Sequence, residues 1–171
     1  LGLAIGQLIY GPVSDRFGRK PPLYVGLSLF VLASVACALA TNLESLLAAR
    51  VLQALGGCVG VVVARSAIRD RLSPAASSQA YATLLLVMGV APILAPLAGG
   101  WLLQWGWHSI FWVLAAIGAL ALLMIHTQFE ETLAHQNRRP LALGLVLRDY
   151  ADLLKDARFR TPALAGGFLM G

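Results

Sequence analysis

Gly11-Pro12-Val13-Ser14-Asp15-Arg16-Phe17-Gly18-Arg19-Lys20 is a polar island between two uncharged runs. Leu1 to Val13 lies before its charges, and Pro21 to Leu43 follows them, with no Asp, Glu, Lys or Arg in either. Gly11 and Gly18 permit turn conformations closed to other residues. Asp15 is a single anion among Arg16, Arg19 and Lys20. A short basic turn between two membrane-length helices belongs on the cytoplasmic face by the positive-inside rule. The spacing therefore predicts a tight turn over 11–20, with one apolar helix entering it and another leaving.

Working outward, the same alternation recurs. Only 12% of the 171 residues are charged, about half the share of a soluble domain. From Leu72 to Phe129 there is no charged residue at all. One straight helix of that length would run roughly 85 Å at 1.5 Å per residue, against a hydrocarbon core of about 30 Å. The segment must fold back once and make two spans. An all-α polytopic membrane protein is expected; the short alternating strands of a β-barrel do not occur. The net charge of +5 would raise nucleic acid as a partner in a soluble protein, but here the cations gather at predicted helix ends, where topology accounts for them.

The first segment, Leu1 to Val13, reads as the tail of a helix, with Gly2 and Gly6 as a small-residue pair for close packing. Pro21 and Pro22 suit the start of the next helix, whose first turn needs no amide donors. Leu23 to Ala40 is a full span. Thr41-Asn42-Leu43-Glu44 reads as a capping box, Thr41 at the cap and Glu44 reaching back. Ser45 to Ala64 is the next span. It carries Arg50, about 12 Å from the helix start, where a cation is costly unless paired or hydrated and is a functional candidate; the alternative is a side chain reaching back to the interface. Arg50, Gln53, Gly57, Gly60 and Ala64 share one helical stripe, and Gly56 and Gly60 make a GxxxG pair. Arg65, Arg69, Asp70 and Arg71 close this helix, and Ser73-Pro74 caps the next.

The span from Gln79 to about Leu103 holds Pro92 and Pro96, followed by Gly99 and Gly100. Each proline removes a backbone bond and bends a helix. Spacing alone leaves two readings, a gate or sealing surface and a kinked packing helix. Trp101, Trp105, Trp107 and Trp112 flank Gly106, where the chain reverses, and form an aromatic belt; His108 lies among them as a wet interfacial residue. Ser109 to Gln128 returns, with no role assigned to His126. Cys37 and Cys58 read as small buried hydrophobes. Residues 129–160 are polar and amphipathic, with Leu143, Leu147, Tyr150 and Leu154 at helical spacing, as in a helix lying on the membrane surface. Thr161-Pro162 opens a further span. The cations Arg16, Arg19, Lys20, Arg65, Arg69, Arg71, Arg138, Arg139, Arg148, Lys155, Arg158 and Arg160 then fall on one side, and only Arg50 is embedded.

Several of these stretches resemble the major facilitator superfamily of transporters. Gly11, Asp15, Arg16, Gly18, Arg19 and Lys20 match its loop motif between helices two and three. Arg50-Val51-Leu52-Gln53-Ala54-Leu55-Gly56-Gly57 is similar to its fourth-helix motif. Ala95-Pro96-Leu97-Ala98-Gly99-Gly100 is similar to the fifth-helix motif of exporters, with Ala91 and Ala95 where glycine is usual. Together with the connector from Tyr150 to Phe159, they resemble the bicyclomycin-resistance (Bcr/CflA) branch of drug:proton antiporters. The resemblance implies an internal fragment of a twelve-helix protein, from the end of helix two to the start of helix seven. It divides the chain into the N-terminal bundle (1–128), a cytoplasmic connector (129–160) and the start of the C-terminal bundle (161–171).

The resemblance further implies efflux of small, mostly hydrophobic drugs through the inner membrane in exchange for protons, by rocking of two six-helix halves. In it, Arg50, with Gln53 and Gly57 on its stripe, serves proton coupling. Asp15 and Arg19 latch the cytoplasmic side, and Pro92, Pro96, Gly99 and Gly100 seal the bundles. The partners implied are a small-molecule drug, protons, the lipid bilayer and the missing C-terminal half, with no nucleic acid. A symporter importing a metabolite on the same fold is the rival. An enzyme would need a polar catalytic cluster, and the chain offers no paired carboxylates, no nucleophile beside a base, no metal set and no call for a cofactor. Within the complete spans there is no Asp or Glu, so the proton-carrying carboxylate is expected upstream, on the first helix.

Overall fold

The computed structural model describes residues 2–133, together with residues 148, 152 and 155. The chain divides into two units, Leu1–Arg138 and Arg139–Gly171. In the second, Arg148, Asp152 and Lys155 are helical and exposed; the rest of the expected surface helix, including Leu143, Leu147, Tyr150 and Leu154, lies outside the described residues, as does the span from Thr161.

In the first unit every regular element among the described residues is helical: α1 (Gly2–Phe17), α2 (Lys20–Ala38), α3 (Leu43–Arg71), α4 (Pro74–Leu102), a single 3₁₀ turn (Leu103–Trp105) and α5 (His108–Gln128). Among the described residues four helices are long and apolar enough to cross a membrane: α2, α3, α4 with its 3₁₀ turn, and α5. The 19 residues of α2 make a helix of about 28 Å, matched to the hydrocarbon core. At 29 residues each, α3 and α4 are longer than the core, and the surplus of α3 is its charged end from Arg65 to Arg71.

α2 is the central helix, packed on α3 and on α5, while α1 lies against α3. Lipid is as apolar as leucine, so close van der Waals packing must hold such helices together. Glycine supplies it where α2 crosses α3. A Cβ added at Gly56 would sit 2.5 Å from the Gly26 carbonyl oxygen and 2.6 Å from the Phe30 amide nitrogen. Gly118 brings α5 onto Phe30 and Val31, and Gly6 brings α1 onto Cys58 and Leu55. Leu23, Val59 and Val63 form the buried cluster, with Tyr10, Leu27, Ile125 and Phe129 packed around it. Cys37 and Cys58 are both buried and unpaired. α4 has no buried residue; it is tied to α3 by the Tyr81 hydroxyl, which donates to the Arg65 carbonyl at 3.0 Å.

The structure departs from the sequence expectations in four places, in helix ends, caps and packing. The turn expected over 11–20 shrinks to Gly18-Arg19, because α1 runs on through Pro12, Asp15 and Arg16 to Phe17. A helix leaving the membrane keeps satisfying its own backbone. It stops only at Gly18, whose φ of 99° is the left-handed ending glycine permits. Asn42, not Thr41, caps α3: its Oδ1 accepts from the Ser45 amide at 2.8 Å, and Glu44 falls within the first turn, facing the positive helix end. Ser73 stands at the cap of α4 before Pro74, but its side chain makes no capping bond. Of the expected Gly56–Gly60 pair, only Gly56 is at a helix crossing; a Cβ at Gly60 would meet nothing within 4 Å. The reversal at Gly106 (φ 89°) is as expected, with Trp101 and Trp105 edge to face at 4.5 Å and Trp107 against His108 at 3.7 Å. α4 stays helical through Pro92 and Pro96.

Candidate functional site

Two polar clusters stand out in a unit that is otherwise greasy. The first is built around Arg19, between α1 and α2, which is only 2% exposed. Its Nε donates to Asp70 Oδ2 at 2.7 Å and its Nη2 to Asp70 Oδ1 at 3.3 Å. Its Nη1 donates to Asp15 Oδ1 at 2.7 Å and to Ser14 Oγ at 2.8 Å, and the Ser14 hydroxyl donates to the Gly11 carbonyl at 2.9 Å. A forked guanidinium is the cation suited to such two-sided pairing. Burial pulls its pKa down, but the hydrogen bonds to Asp70 and Asp15, with their charges, more than offset this and hold it above the ordinary arginine value.

Of the expected turn residues, the structure brings Asp15 and Arg19 together, with Gly11 accepting from Ser14. Arg16 stays exposed, its guanidinium 5.4 Å from the Phe17 ring centre. Lys20 joins through its backbone: its amide donates to Glu131 Oε2 at 3.1 Å, beside the Arg19 amide on Oε1 at 2.8 Å. Arg71 and Glu130 pair at 3.3 Å with both side chains exposed, an arrangement worth little. These contacts place the described basic ends of α1 and α3, the start of α2 and the exit from α5 at one end of the bundle. Asp70, Ser14 and Glu131 were missed by sequence reasoning. Asp70 carried a signal: like Asp15, it is a lone anion within a run of arginines.

The second cluster joins α3 to α2. The Arg50 Nη1 donates to Gln53 Oε1 at 2.7 Å, the Gln53 Nε2 donates to Ser34 Oγ at 2.7 Å, and the Ser34 hydroxyl donates to the Phe30 carbonyl at 2.7 Å. Gln53 and Ser34 are buried; Arg50 is exposed, with its guanidinium carbon 5.5 Å from the Phe111 ring centre of α5. Gln53 is the only hydrogen-bond partner of Arg50 among the described residues. Gly57 lies beside the Phe30 ring, which a Cβ there would meet at 3.2 Å. The chain of donors runs one way and ends on a backbone carbonyl, so it orients Arg50 and offers no group that could take up a proton.

Pro92, Pro96, Gly99 and Gly100 join neither cluster. They lie along α4, where a Cβ at Gly99 or Gly100 would meet nothing within 4 Å. His126 lies near the first cluster's end of the bundle, its Nδ1 3.0 Å from the Tyr24 hydroxyl. Among the described residues no three His, Cys, Asp or Glu gather as metal ligands.

Comparison with known proteins supplies the context for this geometry. The model of the Major Facilitator Superfamily matches residues 1–171. An uncharacterized MFS-type transporter, YdgK, of Bacillus subtilis is 41% identical over 100% of this chain and 43% of its own length. A bicyclomycin resistance protein homolog of Haemophilus influenzae is 32% identical over 99% of the chain and 43% of its own length. A multidrug transporter MdfA of Edwardsiella piscicida is 34% identical over 95% of the chain and 40% of its own length. The chain thus spans about two-fifths of the relatives it matches. The crystal structure of the human organic anion transporter MFSD10 (TETRAN) superposes with a TM-score of 0.73 at 22% identity, covering 90% of this chain and 39% of that one, which shows the shared fold. With its whole length matched and four membrane-length helices packed in that fold, the chain belongs to the major facilitator superfamily, a family of multi-pass membrane transporters and not of enzymes.

Proposed function

We propose that the chain is the part of a twelve-helix drug exporter running from the end of helix two to the start of helix seven. α1 is then the end of helix two, and α2 to α5 are helices three to six. In this reading the protein moves small, mostly hydrophobic drugs out through the inner membrane in exchange for protons, by alternating access of two six-helix bundles. The relatives named for bicyclomycin resistance and multidrug transport support the substrate class. The end of the bundle that carries Arg16, Arg19, Lys20, Arg65, Arg69 and Arg71 is cytoplasmic by the positive-inside rule.

The observation that carries the reading is Arg50, a cation on a spanning helix braced by a buried neutral amide at 2.7 Å. Held this way, it keeps most of its donors for a carboxylate in the transport pathway. A neighbouring cation lowers the pKa of a carboxylate and so tunes when it releases its proton. Asp15 and Arg19 serve as the cytoplasmic latch. Pro92, Pro96, Gly99 and Gly100 on the exposed α4 serve as the seal against the other half.

The test is Arg50→Ala in the full-length transporter. Drug efflux is lost while the protein still inserts and is made at the wild-type level; unchanged efflux overturns the role of Arg50. Direction is tested in inside-out vesicles with an imposed proton gradient, interior acid. Drug accumulates inside as protons leave; protons leaving together with a co-transported metabolite would overturn export in favour of import.

A further inference from the structure

The first turn of α2 is satisfied from far away in the sequence. A helix leaves its first four amide groups without acceptors of its own. At the start of α2 these belong to Arg19, Lys20, Pro21 and Pro22. The two prolines have no N–H, so two donors remain. The cap residue, Arg19, makes no side-chain capping bond, and the first turn contains no acidic residue. Both donors go to one carboxylate: the Arg19 amide to Glu131 Oε1 at 2.8 Å and the Lys20 amide to Glu131 Oε2 at 3.1 Å. The Leu133 amide also donates to Oε1, at 3.0 Å, which steadies the carboxylate within its own segment. Glu131 therefore completes the donor set of the α2 terminus and places an anion at the positive end of its dipole.

Arg19 is thus held twice. Its backbone is held by the segment that leaves α5, and its guanidinium by α1 through Asp15 and by α3 through Asp70. A guanidinium bridging two carboxylates tolerates little displacement of its own Cα.

We infer that Glu131 is a positioning residue for the Arg19 cluster: it clamps the start of α2 so that Arg19 spans Asp15 and Asp70, and it makes that cluster answer to movement of the chain leaving α5. The clamp stands on the geometry; its consequence for transport rests on the proposed reading of the cluster as a latch. Glu131→Gln keeps the shape but loses the charge and one acceptor oxygen. Glu131→Asp keeps the carboxylate on a shorter arm.

The experiment uses the full-length transporter in lipid nanodiscs, with amide hydrogen exchange over residues 18–24 and transport kinetics in proteoliposomes. Glu131→Gln raises exchange over 18–24 by about tenfold, the factor expected for losing a charge-assisted hydrogen bond, and lowers the maximal transport rate without changing KM. Glu131→Asp restores part of both. In an Arg19→Ala background, Glu131→Gln still raises exchange but causes no further fall in rate, because the side chain it positions is gone. Unchanged exchange in Glu131→Gln, with the rest of the protein protected as in wild type, overturns the clamp. An equal further fall in rate with Arg19 absent, or raised exchange with full transport, overturns the positioning role. If the wild-type protein exports none of the drugs supplied, the export reading falls, and the exchange arm still decides the clamp.

Discussion

Removing Asp70 should cost more than removing Asp15, although both pair with the same guanidinium. Arg19 is 2% exposed, and the side chains of Asp70 and Asp15 are 15% and 36% exposed. Deleting one partner of a fully buried pair typically costs about 3–5 kcal/mol, because an uncompensated charge is left behind. Here Asp15 and Ser14 still accept from Nη1, so the loss in Asp70→Ala is closer to that of charged hydrogen bonds, about 2 kcal/mol. The Asp15 side chain is itself about a third exposed and screened by water, so Asp15→Ala costs under about 1 kcal/mol. In an Arg19→Ala background Asp70→Ala costs almost nothing, since the cation it compensates is absent.

Local hydrogen exchange is the appropriate assay, because it measures opening of the last turn of α3 without requiring a two-state membrane protein. A loss of 2 kcal/mol appears as an increase of about thirtyfold in exchange over residues 66–72. Asp70→Ala and Arg19→Ala effects that simply add, or an Asp15→Ala effect as large as that of Asp70→Ala, would refute the reasoning. The pH dependence has a definite sign. The raised pKa of Arg19 contributes stability that is complete below the unfolded value and fades only as pH rises through the higher folded value. Arg19 therefore adds no slope to exchange-derived stability between about pH 5 and 9.

Two further outcomes follow from the packing and the cap. Gly56→Ala places a methyl against the backbone of Gly26 and Phe30 and should destabilise the α2–α3 pair by about 1–3 kcal/mol. Gly60→Ala, which meets nothing, should be neutral or stabilising by up to about 1 kcal/mol; resistance of the purified transporter to unfolding in mixed micelles ranks them, and equal losses would contradict this crossing. Asn42→Ala should cost about 1 kcal/mol at the start of α3 and Thr41→Ala almost nothing, read from exchange of the Ser45 amide.

The features legible from sequence were those that one dimension contains. Hydropathy and the uncharged run from Leu72 to Phe129 marked the spans, and the four membrane-length helices fall where those runs predict. The grouping of Asp15 with Arg19 came only from the family resemblance; α1 ends at Phe17, so the turn at Gly18, not helical spacing, brings Arg19 back onto Asp15. Gln53 beside Arg50 was legible, since residues three apart on a helix share a face. Local chemistry was less decisive at boundaries. Gly11-Pro12 looks like a breaker but rides inside α1, and the adjacent cap formers Thr41 and Asn42 left the cap one position out.

The sequence alone determined where the four membrane-length helices of the described residues lie and that the described cations other than Arg50 in the first unit collect at helix ends, because burying charge in hydrocarbon is so costly that each span must be almost free of it. Only the tertiary structure decided which polar groups meet. Asp70 lies 51 residues from Arg19 and Glu131 lies 112 away, and Ser34 reaches Gln53 from another helix. Such pairings depend on which helix ends are brought side by side, and that is set by a few points of backbone contact, such as Gly26 on Gly56, that leave no periodic trace in the order of residues.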